Sequence, residues 1–152
     1  MELNFIKVED KDFNVVSMLI LDMYERHLKR YFSENGDAFY KKNASPNELK
    51  LRAAKETYFF MIKEEDELVG LLEFDNKKIT QFFIVDEYRG RGYGRMTVNW
   101  LKTFYKENKL GNEFYVLASP NAYLGFEKMG FEQVGEEKTD SIFVSKKMRI
   151  SF

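Results

Sequence analysis

The sequence predicts a mixed α/β fold: a central, mostly antiparallel sheet of about seven strands with helices on both faces, in the order β-α-α-β-β-β-α-β-α-β-β. Three observations predict it. Apolar residues recur at helical spacing around 13–31 and 97–105. Three consecutive strand-like runs are separated only by short polar turns, and both prolines follow a serine in the arrangement that opens a helix. The chain has 152 residues, 44% of them hydrophobic, a size that buries roughly two-thirds of the unfolded chain's surface. One domain, 1–152, is expected, with a core of large rings drawn from fifteen Phe and nine Tyr.

Leu3 to Val8 suits a short strand, after which Asp12 offers a side-chain oxygen as a helix cap. Phe13, Val16, Ile20, Tyr24, Leu28 and Tyr31 then recur at steps of three and four, and Val15, Leu19 and Met23 widen the stripe into a buried face. This helix is expected to end near Ser33, before Gly36. The next begins at Ser45-Pro46-Asn47-Glu48, a capping box with proline in the first helical position. Thr57 to Lys63, Glu67 to Phe74 and Lys78 to Val85 read as an antiparallel meander. A helix carrying Thr97, Val98, Trp100, Leu101, Phe104 and Tyr105 follows and stops before Gly111. Glu113 to Ala118 is a strand, Pro120 to Met129 a short helix with Gly130 as its left-handed cap, and Phe131 to Glu137 with Ser141 to Met148 a closing strand pair.

Composition excludes several functions. Twenty-four basic against twenty-five acidic residues give a net charge of -1, so no global field favours nucleic acid. Without cysteine there is no disulfide, thiolate metal site or cysteine nucleophile. The solitary His27 cannot make a zinc site of the usual ligands and reads as a surface or boundary residue; no metal is expected. No basic-then-apolar start marks a signal peptide, and 13–24 is too short and too polar to span a bilayer. A soluble cytoplasmic protein is expected. Nothing in the sequence sets the oligomeric state, and a homodimer is compatible with it.

The chemistry concentrates in Arg89-Gly90-Arg91-Gly92-Tyr93-Gly94, directly after a strand and directly before a helix. Glycines let the backbone approach a ligand, and first-turn amides of a helix point outward at anions. Arg89, Arg91 and Arg95 add local positive charge for a diphosphate. The dinucleotide fingerprint is excluded because the strand belongs to an antiparallel meander, and no Gly-Lys-Ser or Gly-Lys-Thr completes a phosphate loop of the Walker kind.

These residues resemble the signature of the GNAT superfamily of acyl-CoA-dependent N-acetyltransferases: Gln or Arg, two residues, Gly, one residue, then Gly or Ala. Phe83 to Tyr88 is similar to that family's fourth strand and its exit, and Asn121-Ala122 to Gly130-Phe131 to its later motif. The resemblance implies acetyl-CoA as co-substrate. Amides of 90–95, Tyr93 included, would hold the pyrophosphate. Main-chain groups of Phe83 and Val85, with Ile84 between them, would pair with the pantetheine arm, with Asn121 and Phe126 beside it. The fourth and fifth strands must splay to admit that arm. It further implies transfer of acetyl to a primary amine of a small molecule or polypeptide by direct attack in a ternary complex.

The catalytic positions depart from the pattern. The family's usual tyrosine acid falls on Phe126, the common glutamate base on Gln81, and a glutamate found on some fifth strands on Tyr115. Gln81 is therefore read as orienting a water, and Tyr123, about one helical turn before Phe126, as the substitute hydroxyl. Glu73 ranks below Gln81 as the exposed member of a strand alternation. An acyl-CoA-binding or sensing module with little catalysis is the alternative reading. Tyr24, Tyr31, Phe32, Phe39 and Tyr40 are expected to wall the acceptor pocket.

Overall fold

The computed structural model describes residues 2–139 and 142–152. Its strands are β1 (Asn4–Lys7), β2 (Tyr58–Glu64), β3 (Glu67–Phe74), β4 (Lys78–Ile84), β5 (Glu113–Ala118), β6 (Glu132–Gln133), β7 (Lys138–Thr139) and β8 (Val144–Ser151). Its α-helices are α1 (Phe13–Met23), α2 (Glu34–Asn43), α3 (Pro46–Ala53), α4 (Tyr93–Glu107) and α5 (Tyr123–Lys128). They form one sheet in the order β1-β2-β3-β4-β5-β8-β6, with β7 also on β8. Every pairing is antiparallel except β4 with β5. Among the described residues no helix is long and apolar enough to cross a membrane.

Strand alternation divides the apolar side chains between two layers. Phe60, Ile62, Leu72, Phe74 and Ile79 face Val98, Leu101 and Tyr105 of α4 and Phe126 of α5. On the opposite face Phe59, Met61, Leu71 and Phe83 meet Phe13, Val16 and Ile20 of α1 and Leu49 of α3. The first layer is a ring cluster in which Phe104 meets Phe60 and Phe74 edge-on at 5.5 and 5.2 Å.

Two local features shape the sheet. Glu73 pairs with Gln81 but Phe74 with Ile79, so Thr80 is the extra residue of a bulge; its Oγ1 donates to the Glu73 carbonyl at 3.1 Å. Bulges re-aim strands beside functional sites. The parallel β4–β5 pairing is confined to Lys78 with Tyr115 and Ile79 with Val116. Past the bulge the two strands part, and β4 continues to Ile84 without β5.

The helical segment after β1 differs from the sequence expectation. It is α-helical only to Met23, then widens into a π-helical turn over Tyr24–Leu28 and tightens into a 3-10 turn over Lys29–Tyr31. Tyr24 is fully buried as expected, whereas Val15, expected to widen the buried face, lies in the regular α-helical part and is 52% exposed. Asp12 does not cap α1 with its side chain; its Oδ2 accepts from the Glu9 amide at 2.9 Å and closes a preceding turn.

The α2 helix was not foreseen. Its cap is Ser33, whose Oγ accepts from the Gly36 amide at 2.9 Å. Gly36 lies in its first turn, where a Cβ would fall 2.1 Å from the Ile142 carbonyl oxygen. That glycine serves close backbone approach, not helix termination. Likewise Ser45 caps α3, accepting from Glu48 N–H at 3.4 Å, but Pro120 opens only a 3-10 turn, and Ser119 Oγ donates to Asn121 Oδ1 at 2.5 Å instead of capping it. The run 131–137 contributes β6 and then breaks at Gly135, φ +79°, before β7. Among the described residues the sheet therefore has eight strands where about seven were expected. The expected start of the last strand, Ser141, lies outside the described residues.

Candidate active site

β4 leads through a 3-10 turn, Asp86–Tyr88, into the glycine loop. Gly90 and Gly92 have φ of +78° and +82°, a conformation costing an L-residue roughly 1–2 kcal/mol. A Cβ on either would meet nothing within 4 Å, so glycine is required here by backbone angle and leaves an open side. Gly92 caps α4, whose first bond runs from Met96 N–H to the Gly92 carbonyl at 3.1 Å. The amides of Gly94 and Arg95 precede that bond and are aimed beyond the helix end. This is a cradle that a diphosphate fits.

The three arginines brace the loop as well as charge it. Arg89 Nε donates to the Ile84 carbonyl at 3.2 Å, Arg91 Nη2 to that of Glu87 at 3.3 Å, and Arg95 Nη2 to that of Lys128 at 2.5 Å. Asp86 ties the loop to the π-helical turn: its Oδ1 is 2.8 Å from His27 Nε2, with Arg26 and Arg89 each at 3.4 Å. Burial would raise the Asp86 carboxyl, but the His27 hydrogen bond and the surrounding positive charges override it and hold the group below the usual carboxylate range. The single histidine is thus a wall of the site, in a turn whose extra residue brings it and Leu28 to the cleft.

A cleft of about 800 Å³ starts at this loop and passes between the diverging β4 and β5. On the α4–α5 side it is walled by Phe82, Gly94, Phe126 and Met129, and on the other side by Tyr40, Glu73, Gln81 and Phe83. The strand edge offered to a pantetheine arm is one residue out of step with the sequence reading. Val85 N–H donates to the Val69 carbonyl at 2.8 Å, and the Phe83 carbonyl oxygen lies 2.3 Å from where a Gly70 Cβ would be. Both groups belong to the β3 ladder. Hydrogen-bonding direction alternates along a strand, so the main chain of Phe82 and Ile84 faces the cleft, as the Arg89 contact to the Ile84 carbonyl also shows. The exposed Asn121 and the buried Ser119 close the β5 side.

The acceptor end holds a polar cluster under aromatic walls. Tyr40 OH donates to Gln81 Oε1 at 2.8 Å, and burial pushes this phenol above its ordinary range. Tyr40 stacks on Tyr24 with ring centroids 4.1 Å apart, and Tyr24 OH donates to Asp37 Oδ1 at 2.6 Å. Glu73, cross-strand from Gln81, is 2% exposed. The expectation of an exposed carboxylate is corrected: Arg52 grips both oxygens, Nε to Oε2 at 3.0 Å and Nη2 to Oε1 at 3.2 Å. Of the expected aromatic walls, Phe32, Phe39 and Tyr40 line the cleft, Tyr24 lies under Tyr40, and Tyr31 is not a lining residue.

At the family's acid position Phe126 is buried against Phe131 at 5.1 Å, edge to face. Tyr123 does not bring its hydroxyl to that place. It lies outside the residues that wall the cleft, and its OH donates to Glu137 Oε2 at 2.6 Å while Lys146 covers its ring at 4.2 Å.

Residues 27–152 match the family model of the acetyltransferase (GNAT) domain. No curated protein sequence matches the chain. Among solved structures, a GCN5-related N-acetyltransferase of Rhodopseudomonas palustris superposes with a TM-score of 0.80 at 18% identity, covering 99% of this chain and 95% of the other. PaiA N-acetyltransferase of Thermoplasma acidophilum, in complex with coenzyme A, gives 0.76 at 16% identity over 100% of both chains. Spermidine N-acetyltransferase of Vibrio cholerae, a dodecamer, gives 0.64 at 17% identity, covering 98% and 93%.

Proposed function

The chain belongs to the GNAT family of acetyltransferases, and from that premise we propose that it transfers acetyl from acetyl-CoA to a primary amine of a small molecule or polypeptide by direct attack in a ternary complex. One observation carries this reading: a single cleft joins the glycine cradle to the aromatic acceptor end through the gap between β4 and β5. The amine class is further supported by the acceptor named for the Vibrio cholerae relative, spermidine.

Acetyl-CoA supplies the activated carbonyl carbon and a thiol leaving group. The amine nitrogen forms the new C–N bond as the C–S bond breaks; one proton leaves the nitrogen and one is taken up by sulfur. With no cysteine in the chain, no side-chain thiol carries the acetyl group between the two. Gln81 cannot take the proton. Its carbonyl is occupied by Tyr40, which leaves its NH2 to hold a water against the incoming amine. Phe126 keeps the sulfur end apolar, and the proton for the thiolate comes from solvent.

The test is release of free thiol from acetyl-CoA in the presence of a panel of amines. Gln81→Leu is expected to lower kcat about tenfold or more while acetyl-CoA affinity is retained. Tyr123→Phe is expected to keep turnover within about twofold, because its hydroxyl is committed to Glu137; a large loss would place that hydroxyl in the reaction. The departures at Gln81 and Phe126 favour one other reading, an acyl-CoA sensor. Stabilisation by coenzyme A of about 2.7 kcal/mol at a hundredfold excess over Kd, with no thiol released on any amine, would establish it.

A further inference from the structure

The half of the sheet that α1, α2 and α3 leave uncovered carries a cationic face. Strand pairing sets Lys78 on one side of Tyr115 and Arg149 on the other, with Leu117 and Lys147 as the next cross-strand pair. Lys147 Nζ is 4.4 Å and Lys78 Nζ 6.0 Å from the Tyr115 ring centroid. Among the described residues neither lysine forms an ion pair, whereas Arg149 lies 3.9 Å from Glu113 and pairs across strands with Glu132. The two ammonium groups flank one ring, and an anion laid across that ring is attracted by both.

This face is continuous with two hollows. Lys78 and Leu117 are walls of the main cleft at its acceptor end. On the other side of Tyr115 a hollow of about 320 Å³ is lined by Lys77, Asn112, Lys147 and Arg149. The cations therefore form a track about 10 Å wide across three strands, leading outward from the acceptor mouth. A small anion would need them focused on one point; an extended chain with several carboxylates matches a track.

Taking amine acetylation as the reaction, we propose that this face holds an acidic stretch of a polypeptide acceptor, with the carboxylates near the reacting amine lying across Tyr115 between Lys78 and Lys147. A polycationic amine meets repulsion on the same surface. The complementarity is electrostatic and solvent-exposed, so it acts on acceptor affinity and weakens with salt.

The test uses three fluorescent peptides with a common free amine, followed by acidic, neutral or basic residues. Binding is read by anisotropy with coenzyme A present, and transfer by thiol release from acetyl-CoA. The acidic peptide is expected to bind about tenfold tighter than the neutral one, with an advantage that shrinks at high salt. Lys147→Glu should abolish the advantage through KM rather than kcat, and Lys147→Arg should retain it; thermal melting of both variants separates this from misfolding. Equal binding of the three peptides, preference for the basic one, or an unchanged preference in Lys147→Glu overturns the proposal. So does a small anionic amine that outcompetes the acidic peptide. Salt- and Lys147-dependent binding without thiol release upholds the docking face and defeats the transfer reading, while equal thiol release from all three peptides does the reverse.

Discussion

Gly92→Val is expected to lower coenzyme A affinity about a hundredfold, a change of about 2.7 kcal/mol, with the sheet left intact. Two effects combine. Gly92 holds φ +82° as the residue from which α4 starts, and a β-branched side chain there resists the left-handed region. The loop then relaxes toward negative φ, and the amides of Gly94 and Arg95 turn away from their common focus. In addition, the open side that a Gly92 Cβ would enter, empty of protein within 4 Å, is where a ligand's phosphate would reach the backbone. The residue sits at the surface, so core packing is not involved and thermal stability in the absence of ligand should fall only by the strain itself, roughly 1–2 kcal/mol. Calorimetric titration with coenzyme A, alongside a melting curve, reads the two separately. Undiminished affinity would mean that the pyrophosphate is held elsewhere.

The features that make this experiment interpretable were legible in the sequence because they are local. β3 and β5 fall where turn residues and alternation put them, Glu67–Phe74 and Glu113–Ala118, and the cradle needs only glycines between a strand end and a helix start. What escaped is what depends on distant partners. Gly36 resembles a helix stop until the Ile142 carbonyl, over a hundred residues away, is seen against it. A π-helical turn leaves no compositional mark, so the sequence places His27 at a surface or boundary position, which it occupies, without showing that it walls the cleft beside Asp86. Which main-chain groups of β4 face the cleft depends on which of them β3 claims, and no side chain announces that parity; the reading fell one residue off, on Phe83 and Val85 in place of Phe82 and Ile84. Glu73 looked like the exposed half of an alternation because its counter-ion, Arg52, comes from a helix earlier in the chain.

That last pair sets the second large effect. Arg52→Ala is expected to destabilise the protein by about 3 kcal/mol, a drop in Tm of roughly 6 to 12 °C for a chain of this size. Glu73 is 2% exposed and both its oxygens depend on the guanidinium, so the truncation leaves a buried carboxylate without its charge partner. The same guanidinium donates through Nη1 to the Asn43 carbonyl at 2.7 Å, the last residue of α2, and that bond is lost as well. Because α2 also carries Tyr40, the contact that holds Gln81 loosens, and kcat should fall together with stability. A double variant distinguishes this from simple loss of packing. If the uncompensated charge is the cause, Arg52→Ala combined with Glu73→Leu should recover much of the stability lost by Arg52→Ala alone, since replacing both members of a buried pair by apolar groups is far less costly than removing one. Urea denaturation of the two variants decides it. Equal or additive losses would show that Arg52 contributes through its stem and through Asn43, and that the carboxylate is stabilised by something other than its partner.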